Sequence, residues 1–369
     1  MRHKFLWKPL FILIVFFFTN PWLSFSAEVL EKIDSQQRIP SLMESIQFKD
    51  DIHYCGIKIP LHRQDVKQRL EKELLLALWD RPQVILWIKR ASKYFLHVET
   101  ILKKQGLPLD LRFVPVVESA LKPHAKSSKN AVGYWQFLKS TGKEHGLRID
   151  SMIDERRNIF KSTTAAGKYL KDLENQFGSY LLALAAYNMG EYRLKKEIRD
   201  QKTQDFFSLY LPLQTQGYVF KVICAKLILE NQEFYGFSLK PSDLYPVFTF
   251  DKVNLSSDFQ IPITLIATAA DISFKKIKDF NPELRGYYLD RGEHAILIPK
   301  GKAKGFEEHF TTAVKKWEKT IKNRFHVVKR GESLTGISKK YRISLSSLLK
   351  LNNLSLKGMI HPGDRLMIK

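Results

Sequence analysis

The chain has 369 residues, 60 basic and 38 acidic, with a formal charge of +22. Such a basic balance suits an anionic partner. Nucleic acid, the other standard reading, is set aside because the chain opens on an export signal and carries no zinc-finger spacing or nucleic-acid motif. Its ten histidines and two cysteines form no HExxH, no metal-binding cluster and no nucleophile signature, so no metal site is indicated.

Arg2, His3, Lys4 and Lys8 precede an apolar run from Pro9 to Phe18, and Ser24 and Ser26 fit the small-residue positions of a cleavage site. Residues 1–26 therefore read as a Sec-type signal peptide, with the mature chain starting at Ala27. The run is short for a membrane span, so an uncleaved anchor is the alternative. No cysteine follows it, and no lipid anchor is expected. Removing Arg2, Lys4 and Lys8 with the leader lowers the charge from +22 to +19. A periplasmic location would permit a disulfide between Cys55 and Cys224; two buried free thiols are the alternative.

Residues 27–104 form an N-terminal region. It is irregular as far as Pro60 and then has helical spacing over 64–78 and 82–104. Val84, Trp87, Ile88, Tyr94, Phe95 and Val98 make a core-facing stripe. Gly106 should end that helix and Pro108 open the next. On this next helix Leu111, Val114 and Glu118 share a face. A carboxyl on an apolar face is desolvated and its pKa rises, as a general acid requires. From this segment alone, a solvated glutamate at a helix end is the alternative.

A polar loop, residues 124–130, leads to Gly133-Tyr134-Trp135-Gln136-Phe137. Gly133 permits close backbone approach, and the Gln136 amide can both donate and accept. Ser162-Thr163-Thr164 should cap a helix that Gly178 stops. Residues 179–190 are apolar almost all round and predict a buried central helix. In such a helix Tyr187 and Asn188 must find hydrogen-bond partners. A last helix, containing Tyr218, should follow Pro212.

Past Pro241 the texture turns β-prone and the sequence repeats. Residues 264–284 align with 333–356, and 295–300 with 365–369. Each unit predicts strand, helix, helix, strand. Residues 301–324 form a basic segment with helical spacing at Phe306, Phe310, Val314 and Trp317. It is either a linker helix or a solvated spacer. Residues 325–369 hold nine basic and two acidic side chains, net +7.

Three stretches, VESA (117–120), NAVGYWQFLKSTGKEHGL (130–147) and LLALAAYNMGEY (181–192), occur in the order of the lytic transglycosylase catalytic domain. The whole chain resembles the membrane-bound type D branch of that family, which ends in LysM modules. The resemblance implies a mainly α, lysozyme-like catalytic domain over 105–237. It also implies small α+β (βααβ) modules: a degenerate LysM-like one over 241–300 and, after the 301–324 linker, a LysM peptidoglycan-binding domain over 325–369. Its expected partner is the glycan strand of peptidoglycan, built of N-acetylglucosamine and N-acetylmuramic acid, with no cofactor and no metal. The basic surface adds peripheral association with the envelope.

The implied catalytic residues are Glu118 and Tyr187, the tyrosine reaching the glutamate. Ser119, Gly133, Tyr134, Trp135, Gln136, Asn188 and Tyr218 are the implied sugar-binding set, with Tyr134 or Trp135 stacking on a pyranose; ordinary core packing is the alternative for Trp135 and Phe137. Gly331, Ser333, Leu334, Asn353 and Ile360 are the corresponding positions of the LysM module. Relatives often have Gly-Glu-Gly where this chain has Gly190-Glu191-Tyr192. A water-admitting muramidase and a silent peptidoglycan-binding scaffold are the competing readings.

Overall fold

A short helix α1 (Leu42–Ser45) and the hairpin β1 (His53–Tyr54)–β2 (Ile57–Lys58) precede two long helices, α2 (Gln64–Trp79) and α3 (Arg81–Lys104). The computed structural model describes residues 40–48, 51–322, 325–352, 354–356 and 358–368. The leader expected over 1–26 and the LysM position Asn353 lie outside these residues. The spacing of the apolar residues explains which faces are buried. Val66, Leu70, Leu74 and Leu78 line one side of α2, and Val84, Ile88, Ala91, Tyr94, Val98 and Leu102 one side of α3. Asp80 caps α3 by accepting from the Gln83 N–H at 3.2 Å. Gly106, at φ 68°, follows its end.

The single helix expected from Pro108 is instead two pieces: a 3-10 turn, Leu109–Phe113, and α4 (Val114–Ser119). Pro115 is the reason. It has no N–H to give to residue 111, and its ring would clash with that carbonyl in a continuous helix. In the first turn of a new helix it is tolerated. Ala120 and Leu121 then turn left-handed, at φ 51° and 56°, and stop α4 just beyond Glu118.

After α5 (Lys139–Glu144), helix α6 (Ile159–Phe177) begins earlier than the sequence suggested. Its cap is Asn158, whose side chain accepts from the N–H groups of Phe160 and Lys161 at 3.0 Å each. Ser162 and Thr163, expected at the cap, are wholly buried within the helix, and Ser162 Oγ donates to the Asn158 carbonyl at 2.6 Å. Gly178 ends α6 as expected, at φ 72°. Helix α7 (Tyr180–Met189), capped by Ser179, buries every residue from Leu181 to Ala186. Helices α8 (Glu191–Gln201) and α9 (Leu213–Glu230) complete the body, with α9 packed on α2, α4 and α7. Cys55 and Cys224 are separate free thiols.

The repeat folds twice. In the first module β3 (Phe250–Ser257) leads through β4 (Ile261–Pro262) to α10 (Ile263–Ala269) and α11 (Phe274–Phe280). Strands β5 (Tyr288–Leu289) and β6 (Gly292–Pro299) follow. Strands β3 and β6 pair antiparallel from Phe250↔Pro299 to Ser257↔Gly292. Helix α12 (Phe306–Lys322) covers the segment expected as a linker. It packs Phe306 and Phe310 on the first module's core and stacks Trp317 on Phe259 at 5.4 Å, so it is an integral part of that module.

The second module runs β7 (Phe325–Val327), α13 (Leu334–Lys340), α14 (Leu345–Leu351), β8 (Arg365–Met367). One asparagine in each module does the same work. Asn281 donates to the Ile277 and Leu297 carbonyls and accepts from the Leu297 N–H. Asn352 does so with Leu348 and Met367. Each thereby ties the end of the second helix to the last strand, which fixes the closure of the βααβ unit.

The helical body and the first module share their cores. Phe248 and Leu297 belong to the body's buried cluster, while Ile153 of the body belongs to the module's. Ile153 and Leu284 also pair as a β-bridge, and the Arg285 N–H donates to the Met152 carbonyl at 2.8 Å.

Candidate active site

Glu118 is the penultimate residue of α4, the short helix that Pro115 starts and Ala120 ends. It is half-buried, and Tyr218 of α9 donates its hydroxyl to Glu118 Oε1 at 2.7 Å. Burial pushes the carboxyl up to about 7, the Tyr218 hydrogen bond opposing it. No charged side chain among the described residues contributes to that shift. The group is therefore an acid near its midpoint at neutral pH, able both to give and to take back a proton.

The tyrosine on Glu118 is Tyr218, in place of the expected Tyr187. Tyr187, on α7, donates to the Trp135 carbonyl at 2.6 Å. The carboxylate raises the pKa of both hydroxyls, after burial itself, so both lie in its field. Spacing could not separate the two tyrosines, because the choice depends on where α9 crosses α4.

The turn 133–137 is set from below. Gly133 has φ 86°, and any Cβ there would run into the Arg156 carbonyl, so only glycine fits. Ser119 Oγ donates to the Tyr134 carbonyl at 2.8 Å and latches the turn to α4. Tyr134 and Trp135 are not sugar platforms. Both rings are buried, Tyr134 edge-on to Tyr94 at 5.4 Å and Trp135 donating from Nε1 to Thr163 Oγ1 at 2.9 Å. Trp135 has its polar atom satisfied inside, as a buried tryptophan must.

Gln136 is half-buried with a left-handed backbone, φ 49°. Its Nε2 is committed to the Gly133 and Ala125 carbonyls at 2.8 and 3.2 Å, which leaves the amide oxygen to accept from a ligand. Asn188, half-buried at the end of α7, accepts on Oδ1 from Thr215 at 3.0 Å and keeps its amide N–H groups. The structure thus brings Glu118, Tyr218, Tyr187, Gln136 and Asn188 into one set of elements and sends Ser119, Tyr134 and Trp135 to structural work. No group of His, Cys, Asp or Glu side chains among the described residues could hold a metal ion.

In the second module Gly331 has φ 87° and Ser333 caps α13, accepting from the Gly336 N–H at 3.1 Å. Leu334 and Ile360 pack partly buried against the module's core.

The Transglycosylase SLT domain family matches residues 98–209. The LysM-like domain of lytic transglycosylase MltD matches 249–313, and the LysM domain 326–369. The membrane-bound lytic murein transglycosylase D of Escherichia coli K12 is 34% identical over 293 residues, 76% of this chain and 64% of that protein. The chain carries an SLT domain followed by two LysM-type modules, and it is similar to that transglycosylase over 293 residues. It spans a little under two thirds of that relative's length.

The peptidoglycan transglycosylase gp16 of Escherichia phage T7 is 40% identical over 108 residues, 28% of this chain and 8% of that one. The 70 kDa soluble lytic transglycosylase of Escherichia coli overlaps 62% of this chain and 46% of its own, at 13% identity and a TM-score of 0.34. Tyr218 was expected only as a cleft residue; its place opposite Glu118 is what the fold adds. Glu118 stands three residues past Pro115, the proline that starts its short helix, and that spacing is a local signal for the acid. No helix among the described residues is long and apolar enough to cross a membrane.

Proposed function

We propose that this chain is an exported peptidoglycan lytic transglycosylase, working with Glu118 as its single acid and base. The observation that carries the reading is a desolvated Glu118 whose carboxyl is raised to about 7, held by the Tyr218 hydroxyl and with no carboxylate partner among the described residues. Glycoside hydrolysis commonly divides the work between two carboxylates. A lone acid can be recharged by the substrate itself, with no second carboxylate.

Protonated Glu118 gives its proton to the oxygen linking N-acetylmuramic acid to N-acetylglucosamine, and the bond from that oxygen to the muramic anomeric carbon breaks. The muramic N-acetyl group supports the cationic centre. The muramic 6-hydroxyl then closes on the anomeric carbon and passes its proton to the Glu118 carboxylate. The products are a free N-acetylglucosamine end and a 1,6-anhydro muramic end, with no water consumed. Tyr218 steadies the carboxylate between the two transfers through Oε1, leaving Oε2 for the proton. Gln136, through its amide oxygen, and Asn188, through its amide N–H groups, hold the sugar. The basic LysM module keeps the enzyme on the polymer.

The test is Glu118→Gln in the purified protein, with the ends of cut glycan strands identified. Cleavage should fall at least ~100-fold with folding retained, since the amide has no proton to transfer. The wild type should leave anhydro ends. Reducing ends instead would make the enzyme a muramidase, and residual activity within a few-fold of wild type would remove Glu118 from the chemistry.

A further inference from the structure

Glu283 is buried at the corner just after Asn281, in the first module, yet its bonds leave that module. Its Oε1 accepts from Asn158 Nδ2 at 2.8 Å, and its main-chain carbonyl accepts from the Asp154 N–H at 2.9 Å. Both partners belong to the SLT domain, in the short segment before α6. From that segment the contacts run on toward the acid. Arg156 forks onto Asp154 at 2.8 and 2.9 Å and donates to the Phe137 carbonyl at 3.1 Å. The Arg156 carbonyl is the atom against which Gly133 fits. The turn 133–137, held in this way, receives Ser119 and Tyr187 on the carbonyls of Tyr134 and Trp135. Ser119 is the neighbour of Glu118. Each link is a hydrogen bond or a close contact.

Packing alone does not account for a carboxyl at this position. Glu283 Oε2 has no hydrogen-bond partner among the described residues, and a buried carboxyl is a cost unless its bond fixes something. In the second module the residue two past the clamping asparagine is Leu354, which packs against that module's own core. The first module has Glu283 there and turns the same corner outward. Its apolar side chains are exchanged with the SLT domain across the same seam, Ile153 going one way and Leu297 the other.

We infer that the 249–313 module is a brace for the SLT domain's sugar-side turn, with Glu283 as the positioning residue that fixes Asn158 and Asp154 and, through Arg156, residues 133–137. The inference rests on the transglycosylase reading for its effect on turnover, but not for its effect on the turn. A positioning group of this kind changes how well the acid meets the substrate rather than how tightly the polymer is held.

The experiment compares full-length Glu283→Ala and Glu283→Gln with the wild type by amide hydrogen exchange and by steady-state cleavage of purified glycan strands. In Glu283→Ala, exchange at 133–137 and 154–158 should rise about tenfold while α2, α3 and α9 keep their protection. The kcat should fall about tenfold with KM nearly unchanged. Glutamine should restore both, because its amide oxygen still accepts from Asn158. Wild-type exchange and kcat in Glu283→Ala would overturn the brace. Exchange rising evenly over the whole helical body would overturn it too, since Glu283 would then support the fold at large. Because exchange is read without substrate, an unmutated chain that cuts no glycan would sink the proposed function and leave the brace to stand or fall on the exchange pattern.

Discussion

The two βααβ modules have one fold and opposite relations to the SLT domain. The first shares buried clusters with it and contributes a carboxylate to its loops. The second closes on itself: Val328, Ile337, Leu348, Leu366 and Ile368 make its core, and its ladder is three pairs long, Phe325↔Met367 to Val327↔Arg365. The same asparagine clamp serves both, so the clamp specifies the fold and nothing else. What differs is the chemistry around the clamp. Apolar and acidic groups on the first module's outer face need a neighbour to bury them. A net +7 with a small private core makes the second self-sufficient and attractive to an anionic polymer. A repeat in sequence therefore predicted the architecture and said little about attachment.

The comparison is tested most severely by one core truncation in each place. Phe248→Ala removes a buried ring that touches Tyr94, His97, Phe160 and Phe280 at the seam. It should cost about 3–5 kcal/mol and lower the melting of the SLT domain and first module together. Leu348→Ala, at a fully buried site, should cost about 2–5 kcal/mol and unfold the second module alone. Calorimetry on the intact chain should show two transitions, each moved by only one of the substitutions. A single transition that both variants shift would erase the distinction between the modules.

How much of this was legible in the sequence follows the range of the interactions. Helices α2 and α3 and the stops at Gly106 and Gly178 were readable, because spacing and glycine conformation act locally. Glu118 was readable for a similar reason. The cap of α6 was misplaced because Asn158, Ser162 and Thr163 are all competent caps, and the burial of the latter two decides among them. Tyr134 and Trp135 look alike as cleft or core residues until Tyr94 and Thr163 are seen to enclose them. Tyr218 and Glu118 are 100 residues apart, and Glu283 and Asn158 are 125. Such partners exist only once the body has folded, and no local pattern announces them.

Titration sharpens the contrast, since each region holds a carboxyl shifted the opposite way. Glu118 in the SLT domain is raised to about 7 from 4.5 by burial. Its protonated form is favoured by folding, so the stability it contributes is full below 4.5 and is lost as pH rises through 7. The difference amounts to at most about 3 kcal/mol. Glu332 in the second module is lowered from 4.5 to about 2, by the Lys329 N–H first and by His326 beside it. Its contribution is present above 4.5 and is lost as pH falls through 2. Lowering the pH from 8 to 5 should thus raise the SLT transition relative to Glu118→Gln. Below 4.5 the second module's transition should decline more steeply than in Glu332→Gln. Parallel pH dependence of both transitions in wild type and variants would remove the contrast.

The smallest effect expected concerns binding. Truncation after Lys322 keeps α12, whose Phe306 and Phe310 belong to the first module, and removes the second module entire. Because the second module's core draws on residues 328–368, the SLT transition should stay where it is. Turnover of short soluble glycans should also be unchanged, since no residue of the proposed site lies beyond Tyr218. Affinity for intact sacculi should fall about tenfold at low salt, the module's net +7 and Arg324 before it being lost. The gap from wild type should narrow as salt rises and the Debye length shortens from about 10 Å at 0.1 M toward 3 Å at 1 M. A sedimentation assay over a salt series reads this directly. Equal affinity at every salt concentration would mean that the SLT domain and first module hold the polymer by themselves, and that the freestanding module has some other task. A gap that persists undiminished at high salt would instead assign the grip to apolar and hydrogen-bond contacts of the module, leaving its charge incidental.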